Sequence, residues 1–341
     1  MRSVHRLGRT TVRILVISSY PPRHCGIGSY AAADVERLRS EGHEVVVLSP
    51  PDGNGDVKVP FFGGRPFLAA ARLAPGFDRV LVHFEPGLYY RRRAPLSKVM
   101  SSLGLWWLTR RRPGTEVLVH EAASRPHLLW RPDHVLLRSA FARANLLFHS
   151  DPEREALERA YRLRVEGTIV PHTNGVRIAR RVARSEARSI LGIEPDGCLF
   201  LCAGFLHPAK GYERAVKAFV AAGSPGHLFI VASTRRPTPT NLAYARDLRR
   251  LCAASPRVTF AEEYVTDEEF DLWIGAADVI VLPYKRAWSS GALARARALG
   301  TPAIVSAVGG LVEQTGLGDA VFRTDEELAE LLAHAADRTA P

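Results

Sequence analysis

Two glycine turns and a serine-opened helix carry the chemistry that can be read first. In "RILVIS" followed by "SYPPRHCGIGSYAAADVERL", Gly26 and Gly28 fall where a strand would hand over to a helix. Glycine lets the backbone turn tightly there, and the free amides at the start of a helix can hold an anion. This is not the dinucleotide fingerprint, because Ala31 stands where its third glycine would be. In "AGFLHPAKGYERAVKAF", Gly204 closes a strand, and Lys210 precedes Gly211 and a second helix. A lysine so placed can neutralise a diphosphate. Ser289, Ser290 and Gly291 open the helix "ALARARALG", so hydroxyls and free amides could face a phosphate or a sugar, although a serine there is also an ordinary helix cap.

The elements that must position these residues alternate regularly. Short β-branched runs ("RILVIS", "HEVVVLS", "RVLVHF", "EVLVHE", "ANLLFHS") are separated by helical patterns, and the series restarts with "CLFLCAG", "HLFIVAS", "RVTFAE", "ADVIVLP" and "PAIVSA". Buried strands separated by helices imply right-handed crossovers and a doubly wound parallel sheet. A chain of 341 residues exceeds what one core usually organises. The expectation is therefore α/β, with two doubly wound Rossmann-like domains, residues 1–175 and 176–341, facing a central cleft, and a last helix able to pack back on the first domain. Ligands of such sheets bind beyond the carboxyl ends of the strands.

Composition narrows the function classes. A hydrophobic content of 46% and a charged content of 24% are those of an ordinary globular protein. The first apolar run is too short for a signal-peptide core, and nothing approaches a membrane span, so a cytoplasmic protein is expected. Cys25, Cys198, Cys202 and Cys252 lack metal-ligand spacing and read as reduced thiols. The net charge of +11 is uneven: residues 1–175 hold 26 Lys+Arg against 16 Asp+Glu, and residues 176–341 hold 20 against 19. The density peaks in "YYRRRAPLSKVMSSLGLWWLTRRRPG", where Arg91, Arg92, Arg93, Arg110, Arg111 and Arg112 flank Trp106 and Trp107. Arginines for anionic headgroups and tryptophans for the interface suit peripheral membrane or acceptor contact at the inner face of the plasma membrane, and a solvated surface helix with core-facing tryptophans would look the same. No nucleic-acid motif accompanies the charge, so a nucleic-acid partner is not expected.

The ordered set "PPRxxGIG", "HPAKG", "ADVIVLPY", "SSGAL", "ALGTPAIVS" and "GGLVE" resembles glycosyltransferase family 4, and the resemblance covers most of the chain. It implies the GT-B fold, with an acceptor-binding first domain and a donor-binding second domain, and transfer of a hexose from a UDP- or GDP-linked donor with retention of configuration. A lipid-linked, polysaccharide or other glycan acceptor is implied. Position by position, it makes Gly28 the close-approach glycine beside the donor phosphates and His120, after "EVLV", the active-site histidine near the transferred sugar. Lys210 becomes the diphosphate lysine that stabilises the leaving group. No metal or cofactor is expected, since there is no Asp-x-Asp motif.

Three departures stand against this pattern. Phe205 replaces an arginine after Gly204, and the family's paired glutamates would fall at Ala287 and Arg295. Arg295 is expected to meet a phosphate in partial compensation. Glu85 and Glu121, the nearest carboxylates for double displacement, read as structural. The lost glutamates keep a rival open, a catalytically degenerate GT-B protein serving as scaffold or partner for another glycosyltransferase; an epimerase of the same fold is a third reading.

Overall fold

Continuous apolar runs such as Ile14–Ile17 and Val279–Leu282 are wholly buried, as strands covered on both faces by helices must be. The structure, a computed structural model, describes residues 11–90, 94–121, 131–193, 197–223, 225–234 and 237–339. The chain divides into two compact units, Met1–Gly175 and Val176–Pro341.

In the first unit the strands are β1 (Arg13–Ile17), β2 (Glu44–Ser49), β3 (Val57–Lys58), β4 (Arg79–Phe84), β5 (Glu116–Val119), β6 (Asn145–Phe148) and β7 (Gly167–Ile169). Its helices are α1 (Gly26–Ser40), α2 (Arg65–Leu73), α3 (Pro86–Tyr89), α4 (Pro95–Arg111), α5 (Pro132–Phe141) and α6 (Asp151–Tyr161). The sheet is parallel, in the order β3-β2-β1-β4-β5-β6-β7. The winding reverses between β1 and β4, so the loops leaving those two strands diverge at the sheet's carboxyl edge.

The second unit repeats the scheme with β8 (Leu199–Phe205), β9 (His227–Ser233), β10 (Val258–Glu262), β11 (Val279–Leu282), β12 (Ala303–Ser306) and β13 (Ala320–Phe322). Its helices are α7 (Arg184–Leu191), α8 (Tyr212–Ala222), α9 (Pro239–Ala253), α10 (Asp267–Ala276), α11 (Gly291–Leu299), α12 (Leu311–Gln314) and α13 (Asp325–Thr339). The parallel order β10-β9-β8-β11-β12-β13 puts the reversal between β8 and β11. Its core joins Phe200, Phe219, Tyr212, Ile280 and Phe322, and the closing helix α13 adds Leu328, Leu332 and Ala336 within this same unit, packed against α8. Cys25, Cys198, Cys202 and Cys252 are free thiols buried among core side chains.

One buried ion pair ties the start of the second unit to its central strands. Asp278, just before β11, accepts from Arg188 at 2.5 Å and Arg184 at 2.8 Å and from the Leu199 amide at 2.8 Å. Removing the carboxylate takes a close counter-charge from the buried Arg188 guanidinium and an acceptor from the Leu199 amide. Asp278→Ala is expected to destabilise this unit by about 3 kcal/mol, read as a lowered urea midpoint.

Candidate functional site

At the β8–β11 reversal the sequence-predicted residues of the second unit converge, Arg295 excepted. Gly204, next to last in β8, has a φ of 131°, and a 3-10 turn over Pro208–Lys210 leads to Gly211 at φ 63° and into α8. A side chain at Gly211 would bring its Cβ to 2.2 Å from the Pro283 carbonyl oxygen. Only glycine lets the turn lie this close to the end of β11. The Lys210 ammonium stands 3.8 Å from the centre of the Tyr284 ring, a cation–π contact, and makes no ion pair among the described residues. Lys285 by contrast is paired with Glu213.

Tyr284 links the lysine to the third predicted element. Its hydroxyl lies 3.4 Å from Ser290 Oγ, and its carbonyl accepts from Ser306 Oγ at 2.7 Å. Ser290 is the N-cap of α11: its Oγ accepts from the Leu293 amide at 3.3 Å and its own amide donates to Gln314 Oε1 at 2.7 Å. Both polar groups of Ser290 thus serve the fold, whereas Ser289 is half-buried and Gly291 exposed, so these two are the accessible members of the trio. Tyr284 and Gln314 were not singled out from sequence. The strand-end aromatic of "VLPY" was the available signal for the first, and none marked the second.

Arg295, expected to face a phosphate, has other partners. Its guanidinium donates to Asp267 at 3.0 Å and to the Arg177 carbonyl at 2.8 Å, and lies 3.1 Å from Asp271. It closes α11 onto α10, and a phosphate would have to displace the exposed Asp267 and the buried Asp271 to reach it. Ala287 is half-buried beside this region and offers no hydrogen bond from its side chain.

In the first unit Gly26 and Gly28 begin α1. A Cβ on Gly26 would meet nothing within 4 Å, whereas one on Gly28 would lie 3.4 Å from Ser19 and the Tyr20 amide, so Gly28 is the residue packed on the β1 loop. His120 follows β5 and belongs to a cluster that sequence reasoning did not anticipate. His83, His120, His149 and His172, from the ends of β4, β5, β6 and the turn after β7, surround the Tyr30 ring at centroid distances of 5.7, 5.1, 5.2 and 5.3 Å. Burial lowers all four imidazole pKa values. His83 falls to about 3 and His172 to about 3, each with a further push from His149, and His149 falls to about 4 against an opposing bond to the Val170 carbonyl. His120 is also lowered well below the usual range, by burial and then by His83. Glu85 caps α3 by accepting from the Gly87 amide at 2.9 Å; its role is local.

The basic segment forms α4. Arg110 and Arg111 lie over Trp106 and Trp107 at 5.7 and 4.4 Å, and both tryptophans are half-buried, while Leu105 and Leu108 face the core. Leu96, Met100 and Leu103 are 72%, 39% and 37% exposed, and with Trp107 they share one helical face. Arg112 donates to the carbonyls of Phe77 and Asp78 and anchors the helix end. Arg91, Arg92 and Arg93 lie outside the described residues. A cavity of about 290 Å³ opens at the opposite, amino ends of β11 and β12, lined by Arg184, Asp278, Ala303 and His334, and holds none of the predicted site residues.

Residues 197–338 match the family described as glycosyl transferases group 1. The second unit belongs to the group 1 glycosyltransferases. A D-inositol 3-phosphate glycosyltransferase of Streptomyces bingchenggensis strain BCW-1 is 32% identical over 183 residues, covering 49% of this chain and 38% of the relative. That of Mycolicibacterium smegmatis is 31% identical over 133 residues, covering 38% and 29%. The matched stretch thus spans well under half the length of these curated relatives. In three dimensions the chain resembles Anabaena HepE in complex with UDP-glucose (TM-score 0.68, 15% identity, 96% of this chain and 90% of that one). Sucrose-phosphate synthase from Thermosynechococcus elongatus is similar too (TM-score 0.63, 19% identity, 96% and 89%). The chain therefore has the two-domain, Rossmann-like GT-B fold.

The histidine cluster makes the first unit acid-sensitive. Unfolding returns each imidazole to its ordinary value near 6.5, so between that value and about 4, where His149 titrates in the fold, the unfolded chain binds more protons. Stability contributed by neutral burial is whole above pH 6.5 and falls as the pH drops through this window. Denaturant unfolding at pH 7 and pH 5, followed by a probe in the first unit, is expected to give the lower midpoint at pH 5, and His149→Gln is expected to reduce the difference.

Proposed function

We propose that this protein is a retaining, metal-independent hexosyltransferase of the family 4 type, taking a hexose from a UDP- or GDP-linked donor and passing it to a glycan or lipid-linked acceptor. The observation that carries the reading is the Lys210 ammonium, held against Tyr284 with no ion pair among the described residues, at the β8–β11 reversal beside the starts of α8 and α11. A cation and helix amides at one edge suit a diphosphate whose charge grows as the glycosidic bond breaks. The likeness to a fold that holds UDP-glucose in HepE supports UDP as the first base to try.

Retention follows a front-face path in this reading. The bond from the sugar's anomeric carbon to the phosphate oxygen breaks while the acceptor oxygen bonds on the same face, and the acceptor proton passes to the departing phosphate oxygen. No protein base is required, in keeping with a Glu85 engaged as a cap. His120 contacts the transferred sugar, Gly26 and Gly28 lie toward the donor phosphates, and the first unit binds the acceptor. Metal independence is checked by turnover in excess chelator, which is expected to be unchanged.

The exposed face of α4, with Leu96, Met100, Leu103 and Trp107 beside Arg110 and Arg111, supports contact with an anionic membrane on the cytoplasmic side. Among the described residues no helix is long and apolar enough to cross a membrane. Leu96→Glu is expected to weaken sedimentation with phosphatidylglycerol vesicles about tenfold, the value of one buried leucine.

A second reading, a degenerate scaffold, is favoured by one observation: Arg295 and Ala287 stand where donor-contacting glutamates are expected, and Arg295 is tied to Asp267 and Asp271. Calorimetric titration with UDP, GDP and their sugar conjugates separates the two. Saturable binding weakened about tenfold or more by Lys210→Ala is expected for the enzyme, and absence of binding to any of them favours the scaffold.

A further inference from the structure

His83 Nδ1 and His120 Nε2 lie 3.0 Å apart. The ring planes differ by 17° and the centroids are 5.2 Å apart, so the imidazoles meet end to end and nearly coplanar, as an N–H···N bond requires. A neutral pair must divide its roles: one nitrogen donates and the other accepts. Which one donates is decided at the far side of His83. This side chain is fully buried, and its Nε2 has no partner among the described residues.

If His120 donated from Nε2, His83 would accept at Nδ1 and carry its own proton on Nε2, a buried N–H with nothing to receive it. The opposite assignment leaves only a bare lone pair there, and orphaned buried N–H groups are the rarer defect. His149, in the same cluster, displays that state. Its Nδ1 lies 3.1 Å from the Val170 carbonyl, which can only accept, so the proton is on Nδ1 and the buried Nε2 is bare.

We infer that His83 is a positioning residue that donates from Nδ1 to His120 Nε2 and thereby fixes His120 in its Nδ1–H tautomer. His120 then presents an N–H donor to whatever lies at its free edge, and its Nε2 is withdrawn from proton abstraction. The inference rests on the reading of His120 as a sugar contact only in naming that ligand: a hydroxyl oxygen of the transferred sugar would accept from Nδ1. A donor-only His120 agrees with a transfer that takes no proton from the acceptor onto the protein.

The test is two-bond ¹⁵N–¹H correlation spectroscopy of the full chain labelled at histidine, with His120 assigned by loss of its signals in His120→Gln. The expected wild-type spectrum shows His120 protonated at Nδ1 and bare at Nε2. His83→Asn, whose amide nitrogen can occupy the place of Nδ1, is expected to keep that pattern, and His83→Phe to release His120 toward the Nε2–H form. If transferase turnover is measurable, kcat is expected to fall at least tenfold in His83→Phe and to recover in His83→Asn, with nucleotide affinity unchanged in both. A wild-type His120 protonated at Nε2, or a His120 tautomer indifferent to His83→Phe in a folded variant, overturns the inference. The wild-type spectrum decides even if His83→Phe does not fold. The spectrum needs no substrate, so failure of the transferase reading appears separately, as absent nucleotide binding.

Discussion

A parallel sheet sends every strand's carboxyl end to one edge, and where the winding reverses, the crossovers leave toward opposite faces and neither covers that edge. Between β8 and β11 this constraint brings together the starts of α8 and α11, whose first amides have no intrahelical partner. The local features answer to it. Gly211 takes a left-handed conformation because the turn must pass beneath the Pro283 carbonyl. Lys210 gains a fixed place because the next strand delivers Tyr284 to the same spot. Ser290 and Gln314 satisfy part of the α11 start and leave its exposed first residue, Gly291, open.

What could be read in the sequence was whatever is recorded locally. Buried parallel strands are runs of Val, Ile and Leu, a turn that admits only glycine contains glycine, and a helix start contains serine, so the α/β class, the alternation and the positions of Lys210 and Ser290 were legible. Contacts set by register between distant strands were not. His83 is one polar residue in the apolar run "RVLVHF", and nothing in that run says that β4 pairs with β5 so that His83 sits opposite Leu118, with His120 just beyond. Tyr284 was visible as a motif letter, but its ring acquires meaning only once the β8 turn lies over it.

Arg295 shows why a motif departure is poorly interpreted from sequence. Replacing a glutamate by an arginine inverts the charge, and the inverted charge invites a phosphate as compensation. The fold supplies a nearer partner set: α10 turns Asp267 and Asp271 toward α11, and the Arg177 carbonyl completes the fork. Asp271 also accepts from the amides of Ala179 and Arg180. The arginine therefore fastens the start of the second unit to α10 and α11, a structural role that only long-range geometry reveals.

Charge is divided between the units in a way that assigns chemistry to each. Four imidazoles around Tyr30 are held neutral by burial, so this cluster offers hydrogen bonds without formal charge. The carboxyl edge of the second sheet offers an ammonium and helix amides. In the proposed function, phosphate, which must be neutralised as it leaves water, suits the second edge, and sugar hydroxyls, which need directional donors and acceptors, suit the histidine cluster. An imidazole that titrated near neutrality would blur this division, because protonating it would draw phosphate toward the wrong edge. The low pKa values of the cluster and the single-donor state inferred for His120 are two consequences of the same burial.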